Sequence, residues 1–124
     1  MEPTRLIVVR SEAAKEALRP LCWDQPQITT ASEVVVFKSL QNDLVPPSEY
    51  AKQNALRRKI DLSKYETFSK RLGDYLKSRG FVDEKIAYWS ALQAYITATY
   101  MVAYASYLNI DTCYIEGFEK NKVE

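Results

Sequence analysis

The stretch that decides the fold begins at Trp89 and reads Trp89-Ser90-Ala91-Leu92-Gln93-Ala94-Tyr95-Ile96. It lies within a longer segment, from Ile86 to Ile110, in which no charged residue occurs. A helix without charge on any face is buried on all sides, and a chain of 124 residues has little other material to bury it with. The sequence therefore predicts a long central helix, capped by Asp83 and ending at Asn109, that forms a homodimer through Ala87–Leu108.

Two faces of this predicted helix differ in bulk. Residues that recur every three to four positions give a mostly alanine face, formed by Ala87, Ala91, Ala94, Ala98, Met101, Ala105 and Leu108. A second, bulkier face is formed by Trp89, Leu92, Ile96, Tyr100, Ala103 and Tyr107. One face can meet the strands while the other meets a partner subunit. The alternative that the sequence leaves open is that both faces lie in the core of a monomer.

The overall composition excludes several classes of function. A net charge of +1 gives no electrostatic reason to expect nucleic acid or an anionic membrane as partner. The chain has no histidine, which removes His-based general bases, His metal ligands and Ser-His-Asp triads. Cys22 and Cys113 are far apart and form no C-x-x-C motif, so no metal site is predicted. Because nothing at the N-terminus resembles a signal peptide, we expect a reducing, cytoplasmic setting.

A membrane span is the other interpretation of the uncharged segment, because its length is sufficient. The segment contains serine, threonine and glutamine, however, and its five tyrosines are spread along its length. Membrane spans concentrate their tyrosines at the two ends. The pattern therefore favours a buried helix and predicts no membrane partner.

Two short strands precede the long helix. Leu6–Val9 and Val34–Phe37 are runs of apolar, mostly β-branched residues, which are typical of buried strands. Such strands usually have neighbouring strands and are covered on both faces, but the chain offers only these two. The first strand begins close to residue 1, and a further helix is only beginning at Glu124. We therefore expect residues 1–124 to form a single, partial domain.

The helix after the first strand is predicted from its start signal. Ser11 is the expected N-cap, and the helix should reach about Leu21. A loop is expected from Trp23 to Gln27, because Pro26 disfavours helical geometry in the residue before it.

Two polar helices are predicted in the middle of the chain, at Glu49–Lys59 and at Leu62–Ser78. Ser63 and Glu66 have the spacing of a capping box at the start of the second helix. Gly80 follows its last turn and is expected to end it. Together with the strands, these helices predict an α+β fold that is mostly helical, with a small sheet.

Three segments, in order and with fitting spacing, resemble one known family. The long helix with its ending Leu108-Asn109-Ile110-Asp111-Thr112-Cys113-Tyr114-Ile115-Glu116-Gly117-Phe118 looks like the central helix and flavin loop of the FMN-dependent nitroreductase family. A second segment looks like the family's loop and second strand, namely Trp23-Asp24-Gln25-Pro26-Gln27-Ile28 followed by Ala31-Ser32-Glu33-Val34-Val35-Val36-Phe37. The strand after the family's Gln-Pro-Trp segment is resembled by Pro3-Thr4-Arg5-Leu6-Ile7-Val8-Val9.

The resemblance implies an α+β flavoprotein, usually a homodimer that holds FMN at the subunit interface. Enzymes of this family take hydride from NAD(P)H onto flavin N5 and pass electrons to a nitroaromatic, quinone or similar small-molecule acceptor. Because the cofactor supplies the chemistry, the protein binds it, orients it and shapes the acceptor pocket. No catalytic side chain is therefore predicted, which agrees with the absence of histidine.

The resemblance also implies positions for the cofactor. Ile115, Glu116 and Gly117 match the family's loop, whose backbone N–H groups contact flavin N5 and O4; the alternative is a simple turn after a helix. Gly117 would let the backbone approach the ring closely. Gln27 and Asp24 lie where the family contacts the flavin pyrimidine edge or ribityl chain; the alternative for both is a solvated loop.

The resemblance places the acceptor pocket among aromatic residues of the second polar helix. Tyr65, Phe68 and Tyr75 lie in the region that supplies aromatic side chains over the flavin. The alternative is that these three residues form one face of an amphipathic helix.

Several features of the family have no counterpart in this sequence. These are the N-terminal helix and the C-terminal strand, both of which carry ligands of the FMN phosphate, while Tyr114 stands where the family has proline. Charged hydrogen bonds contribute roughly 1.5–3 kcal/mol each, so losing several would weaken FMN binding by orders of magnitude. The alternative function is therefore a non-catalytic dimeric interaction protein that has lost flavin, and a helical scaffold unrelated to flavin is a third.

Overall fold

The computed structural model describes residues 3–82 and 84–123. In chain order its regular elements are β1 (Thr4–Val9), α1 (Glu12–Leu18), α2 (Gln27–Thr30), β2 (Val34–Ser39), α3 (Glu49–Arg57), α4 (Tyr65–Ser78), α5 (Glu84–Tyr107) and α6 (Lys120–Val123). Short 3₁₀ turns lie at Arg19–Cys22, Asn42–Leu44 and Leu62–Lys64. The predicted fold class, mostly helical with a small two-stranded sheet, is confirmed.

The two predicted strands pair in an antiparallel sheet. The backbone N–H of Leu40 donates to the carbonyl of Pro3 at 2.7 Å just beyond one pair of strand ends. The prediction that these strands are buried is wrong for β1, where Leu6, Ile7 and Val8 are 45–50% exposed. The physical reason is that a two-stranded sheet leaves edges and faces open, and the described part of the chain supplies no third strand.

The described residues fall into two compact units. One is formed within residues 1–5 and 38–98, and the other within residues 6–37 and 99–124. In the first unit, Leu44, Leu76 and Ile86 are almost fully buried and form a core. Phe81 and Trp89 pack beside this core, with ring centroids 5.8 Å apart. That residues 1–124 make one partial domain stays a prediction.

Helix α5 is the predicted long helix, but a single chain covers only one of its faces. The covered face is a stripe of every fourth residue, Ile86, Ser90, Ala94 and Ala98. Its small side chains allow neighbouring elements to approach closely. Large residues of the bulkier predicted face are exposed, namely Leu92, Ile96, Tyr100 and Tyr107. That a second copy of the chain completes the burial of α5 stays a prediction.

The ends of the helices show which local signals decide them. Ser11 is the N-cap of α1, as predicted, because its hydroxyl accepts from the Ala14 N–H at 3.3 Å. α1 ends at Leu18 and not near Leu21, because Pro20 has no N–H to continue the helical hydrogen bonds. The chain there tightens into a 3₁₀ turn.

The capping box predicted for α4 is wrong. Helix α4 begins at Tyr65, and Ser63 lies before it in a 3₁₀ turn. The side chain of Asp61 caps that turn by accepting from the Ser63 N–H at 2.9 Å, so the N–H that a capping box would pair with Glu66 is bonded to Asp61 instead. Gly80 does follow the end of α4, with a left-handed φ of 69°. The predicted cap of α5, Asp83, lies outside the described residues.

Candidate functional site

The candidate site is built on the segment that follows α5. The helix ends as predicted, because Asn109 adopts a left-handed φ of 57° and the Ile110 N–H then donates to the Ala105 carbonyl at 2.9 Å. The chain continues without regular structure as far as α6. Within it, residues 115–119 form what we call the Gly117 loop.

A second segment, residues 21–25, is hydrogen-bonded to the Gly117 loop, and we call it the Trp23 turn. The Glu119 N–H donates to the Leu21 carbonyl at 2.8 Å. The side-chain amide of Gln25 donates both to the Gly117 carbonyl and to the Cys22 carbonyl, each at 3.0 Å. Gln25 therefore bridges two backbone carbonyls that are almost a hundred residues apart in sequence.

Gly117 lies directly against the indole of Trp23. A Cβ atom added at residue 117 would stand 2.5 Å from Cε3 and 2.7 Å from Cζ3 of that ring. Real Cβ atoms do not approach so closely, so a side chain at residue 117 would require the Trp23 ring, which is 70% exposed, to move aside. Gly117 was predicted to allow a close approach to flavin, and the structure shows that it already makes a close approach to Trp23.

The Trp23 turn has an uncommon backbone conformation. Trp23 and Asp24 both have φ of 54°, in the left-handed region that residues with a Cβ seldom adopt. The turn is closed by Arg19, whose carbonyl accepts from the Asp24 N–H at 3.1 Å and whose Nε donates to the Asp24 carbonyl at 3.3 Å. Bulky residues in this conformation persist where surrounding contacts fix them, which is common at functional sites.

The Gly117 loop presents an unused hydrogen-bond donor. The carbonyl of Gly117 is bonded to Gln25, but the Gly117 N–H has no acceptor among residues 3–82 and 84–123. Gly117 is half-buried. A backbone N–H that is fixed in position and partly shielded from solvent can donate a hydrogen bond to an electronegative atom of a ligand, such as a ring nitrogen or carbonyl oxygen.

The predicted cofactor residues are not all brought together. Asp24 lies in the Trp23 turn and is exposed, and Glu116 and Ile115 precede Gly117, with Glu116 exposed and Ile115 half-buried. Gln27 does not lie in a loop, because it opens the short helix α2, where its side chain is exposed. The side-chain contacts that join the two segments are made instead by Trp23 and Gln25, beside the backbone bond from Glu119 to Leu21.

Sequence reasoning missed Trp23 and Gln25. Both stood inside a stretch interpreted as a solvated loop, and loops give no periodic signal. One available clue was Trp23 itself, because a large apolar residue between polar ones in a loop usually has a packing partner. For Gln25 the clue was weaker, since a glutamine that bridges two distant carbonyls looks like any surface glutamine.

The predicted acceptor-pocket residues occupy different surroundings. A cavity of about 100 Å³ lies in the unit formed within residues 1–5 and 38–98. It is lined by Leu44, Tyr50, Ala51, Asn54, Arg58, Phe68 and Leu72. Phe68 lines it, but Tyr65 and Tyr75 do not. Tyr75 is half exposed and has the Arg79 guanidinium 5.7 Å from its ring. Ligand pockets usually enclose roughly 300–1,000 Å³, so this cavity holds at most a very small molecule.

Four buried polar atoms of the unit formed within residues 1–5 and 38–98 lack partners in the described part of the chain. They are the hydroxyls of Thr4, Tyr65 and Ser90, and Oδ1 of Asn54, whose residue also lines the cavity. An unsatisfied buried acceptor or donor costs roughly 1–3 kcal/mol, so such groups are usually paired with water or a ligand.

The buried cysteine, Cys22, is not suited to nucleophilic chemistry. Burial raises the pKa of the Cys22 thiol above its usual value, which keeps it neutral near pH 7. Cys113 is exposed and both thiols are free. Among residues 3–82 and 84–123 there is no group of three or more His, Cys, Asp or Glu side chains that could hold a metal ion. Within the same ranges no helix is long and apolar enough to span a membrane.

Comparison with known proteins defines the class of protein to which this loop and helix belong. The sequence model of the Nitroreductase family matches residues 1–124. A protein of Staphylococcus haemolyticus, provisionally named NAD(P)H nitroreductase, is 31% identical over 128 residues, which cover 99% of this chain and 58% of the relative. The YfkO protein of Bacillus subtilis, with the same provisional description, is 29% identical over 133 residues, covering 99% of this chain and 58% of the relative.

A solved structure shows the same fold. The nitroreductase-like protein of Streptococcus mutans superposes with a TM-score of 0.54 at 17% identity, covering 94% of this chain and 62% of that protein. The chain therefore belongs to the Nitroreductase family and has its fold. It spans a little under three fifths of the length of the curated relatives described above.

Proposed function

We propose that this chain forms the flavin-loop part of an FMN-dependent NAD(P)H oxidoreductase of the nitroreductase type. The observation that carries the proposal is the Gly117 N–H, which has no acceptor within the described residues although its own carbonyl is fixed by Gln25. Membership of the Nitroreductase family and the names of the relatives support the same class of activity.

The residues of the site fit FMN by their chemistry. Flavin N5 and O4 are acceptors, and the Gly117 loop offers a donor and no side chain at residue 117. Asp24 and Gln27 present exposed polar groups that suit the polar edge of the ring or the ribityl hydroxyls. When bound, FMN supplies the redox chemistry. The chain's own contribution is to orient the ring through backbone donors and to keep part of the site from water.

The visible absorption spectrum of the purified protein tests the proposal. The spectrum is recorded before and after FMN is added and the sample is desalted. Flavin bands retained near equimolar stoichiometry are the expected result. A sample that stays colourless after desalting, with an unchanged spectrum during titration, would contradict flavin binding by this chain.

The reaction is tested separately from cofactor binding. With FMN present, the protein is expected to oxidise NADH or NADPH and to reduce a nitroaromatic or quinone acceptor at a rate that depends on protein concentration. The control is the same assay with free FMN alone. The acceptor contacts assigned to Tyr65, Phe68 and Tyr75 stay predictions, and each is tested by its own substitution with alanine in this assay.

We also propose that the chain forms a homodimer through α5. The supporting observation is the exposed bulky face of that helix, where Ile96 is 52% exposed and Tyr100 76% exposed. Ile96→Asp is expected to convert a dimer into a monomer in light-scattering measurements. The matched control is Leu56→Asp on α3, where an exposed leucine lies outside the proposed interface.

The same exposed face favours the second candidate, a non-catalytic dimeric interaction protein. The two functions differ in one outcome. A dimer that neither retains FMN nor oxidises NAD(P)H would support the interaction protein. FMN-dependent NAD(P)H oxidation would contradict it.

A further inference from the structure

Two side chains of the Trp23 turn contact Gly117 from different directions. The indole of Trp23 lies against its Cα, where a Cβ would come within 2.5 Å of the ring. The amide of Gln25 donates to its carbonyl at 3.0 Å. One contact limits how far the loop can move toward the Trp23 turn, and the other fixes the direction of the carbonyl.

We propose that Trp23 and Gln25 are positioning residues, which fix the Gly117 backbone in the orientation that binds the flavin. The inference rests on the proposed function, because it concerns the same loop, but it assigns roles to two residues outside it. It also assigns a different reason for glycine at residue 117. The glycine is required by the indole behind it, in addition to any approach of a ligand in front.

The contacts made by Gln25 and Glu119 act on the chain immediately after the ligand-binding donor. Gln25 fixes the carbonyl of Gly117 and so sets the plane of the peptide group between residues 117 and 118. The Glu119 N–H, bonded to the Leu21 carbonyl, fixes the chain two residues later. The Gly117 N–H belongs to the preceding peptide group, between residues 116 and 117, so these contacts restrict it through the Gly117 Cα, against which the Trp23 indole lies. A preorganised donor binds more tightly, because its ordering does not oppose binding.

The conformation of the Trp23 turn is consistent with this role. Trp23 holds its ring against the loop from a left-handed backbone, and the next residue, Asp24, is left-handed as well. Gln25 uses its second donor contact on the Cys22 carbonyl, within the same turn. The amide is therefore oriented before it reaches Gly117, and its rotation is restricted from both sides.

The Gln25 contact is tested with the full chain and two variants. Gln25→Leu keeps similar bulk and removes both donated hydrogen bonds. Gln53→Leu is the matched control, because the amide of Gln53 donates to Glu49 on the exposed surface of α3. FMN affinity is measured by quenching of flavin fluorescence, and the midpoint potential of bound FMN is measured by spectroelectrochemistry. Amide hydrogen exchange at residues 117–119 is followed by NMR without FMN.

Gln25→Leu is expected to weaken FMN binding roughly tenfold, as expected for the loss of one ordered hydrogen bond. It is also expected to lower the midpoint potential, because a displaced N–H stabilises the electron-rich reduced ring less. Without FMN, it is expected to speed exchange at Glu119. Gln53→Leu should match the wild type in all three measurements.

The Trp23 contact is tested with a conservative pair of substitutions. Trp23→Phe retains an aromatic ring behind Gly117, and Trp23→Ala removes it. The expected order of FMN affinity and midpoint potential is wild type, Trp23→Phe, Trp23→Ala. Circular dichroism and thermal unfolding separate a local displacement of the loop from global unfolding.

The failures of the two proposals are distinguishable. If the wild type binds no FMN, the proposed function fails, and hydrogen exchange alone decides the positioning role. Unchanged exchange at Glu119 in Gln25→Leu would overturn that role whether or not FMN binds. If the wild type does bind FMN, equal affinity and equal midpoint potential in wild type, Gln25→Leu and Trp23→Ala would overturn it as well.

Discussion

The Gly117 loop and helix α4 use glycine for different physical reasons. In the loop, a side chain at residue 117 would collide with the Trp23 ring, although the backbone of Gly117 does not have a positive φ. At the end of α4, Gly80 has open space around it but a φ of 69°. Within α4, Gly73 has neither constraint, since nothing lies within 4 Å of an added Cβ.

The three glycines therefore distinguish two reasons for glycine, namely lack of room for a side chain and a left-handed backbone. A side chain at Gly117 would meet a neighbouring residue, and one at Gly80 would be strained by the backbone conformation. A side chain at Gly73 would meet neither limit. Only the first kind of limit depends on a residue distant in sequence. Substitutions at these positions therefore report separately on the contact between the two segments of the candidate site and on local helix geometry.

The largest effect is expected for Gly117→Val. The added branches would overlap the Trp23 indole, so we expect about 3 kcal/mol loss of folding free energy, with loss of FMN binding. Urea unfolding measures the first effect and flavin fluorescence the second. In a Trp23→Ala background, the free-energy cost of Gly117→Val should fall by about 2 kcal/mol, because the colliding ring is gone.

The double variant decides between the two reasons for glycine. If stability returns in Trp23→Ala/Gly117→Val but FMN binding does not, the loop also requires glycine on the flavin side. If Gly117→Val costs as much without Trp23 as with it, the indole contact does not explain the glycine.

A smaller effect is expected for Gly80→Ala. Space is available at this residue, so the cost is that of placing a Cβ in a left-handed conformation, about 1 kcal/mol. Thermal unfolding measures the change. FMN affinity should equal that of the wild type, and a parallel loss of FMN binding would contradict a purely local cost at Gly80.

The sequence predicted the elements of this fold well where a local rule decides them. The apolar β-branched runs around Leu6 and Val34, the Ser11 cap and the left-handed Asn109 were predicted from neighbouring residues alone. The end of α1 was predicted near Leu21 and lies at Leu18, because the helical apolar spacing continues to Leu21 while Pro20 lacks the N–H that a helix needs.

The candidate site was predicted less completely, for a physical reason. Gly117 was selected because of a family resemblance, and its actual neighbour, Trp23, lies 94 residues earlier in the chain. No periodicity connects residues of two irregular segments, so their contact becomes visible only in the folded structure. What covers the exposed face of α5 stays a prediction, because absence of charge does not reveal what covers a helix.

In contrast to the other two glycine substitutions, Gly73→Ala is expected to raise the free energy of unfolding. This residue lies within α4, where alanine has a higher helix propensity and an added Cβ meets nothing. We expect stabilisation by about 0.5–1 kcal/mol, measured by urea unfolding. A loss of stability would show that this face of α4 is covered in the folded protein.

The smallest effect on stability is expected at the turn before α4, which is capped by Asp61 and not by Ser63 as predicted. Hydrogen bonds from the Ser63 backbone and side chain lower the pKa of the exposed Asp61 carboxyl. This group therefore stabilises the fold above the usual aspartate pKa, and its contribution is lost as pH falls through the lowered value. In Ser63→Ala the backbone N–H remains, so the Asp61 pKa should rise only part of the way towards its ordinary value in an NMR titration. A full return would mean that the side chain of Ser63, and not its backbone N–H, lowers the pKa of Asp61.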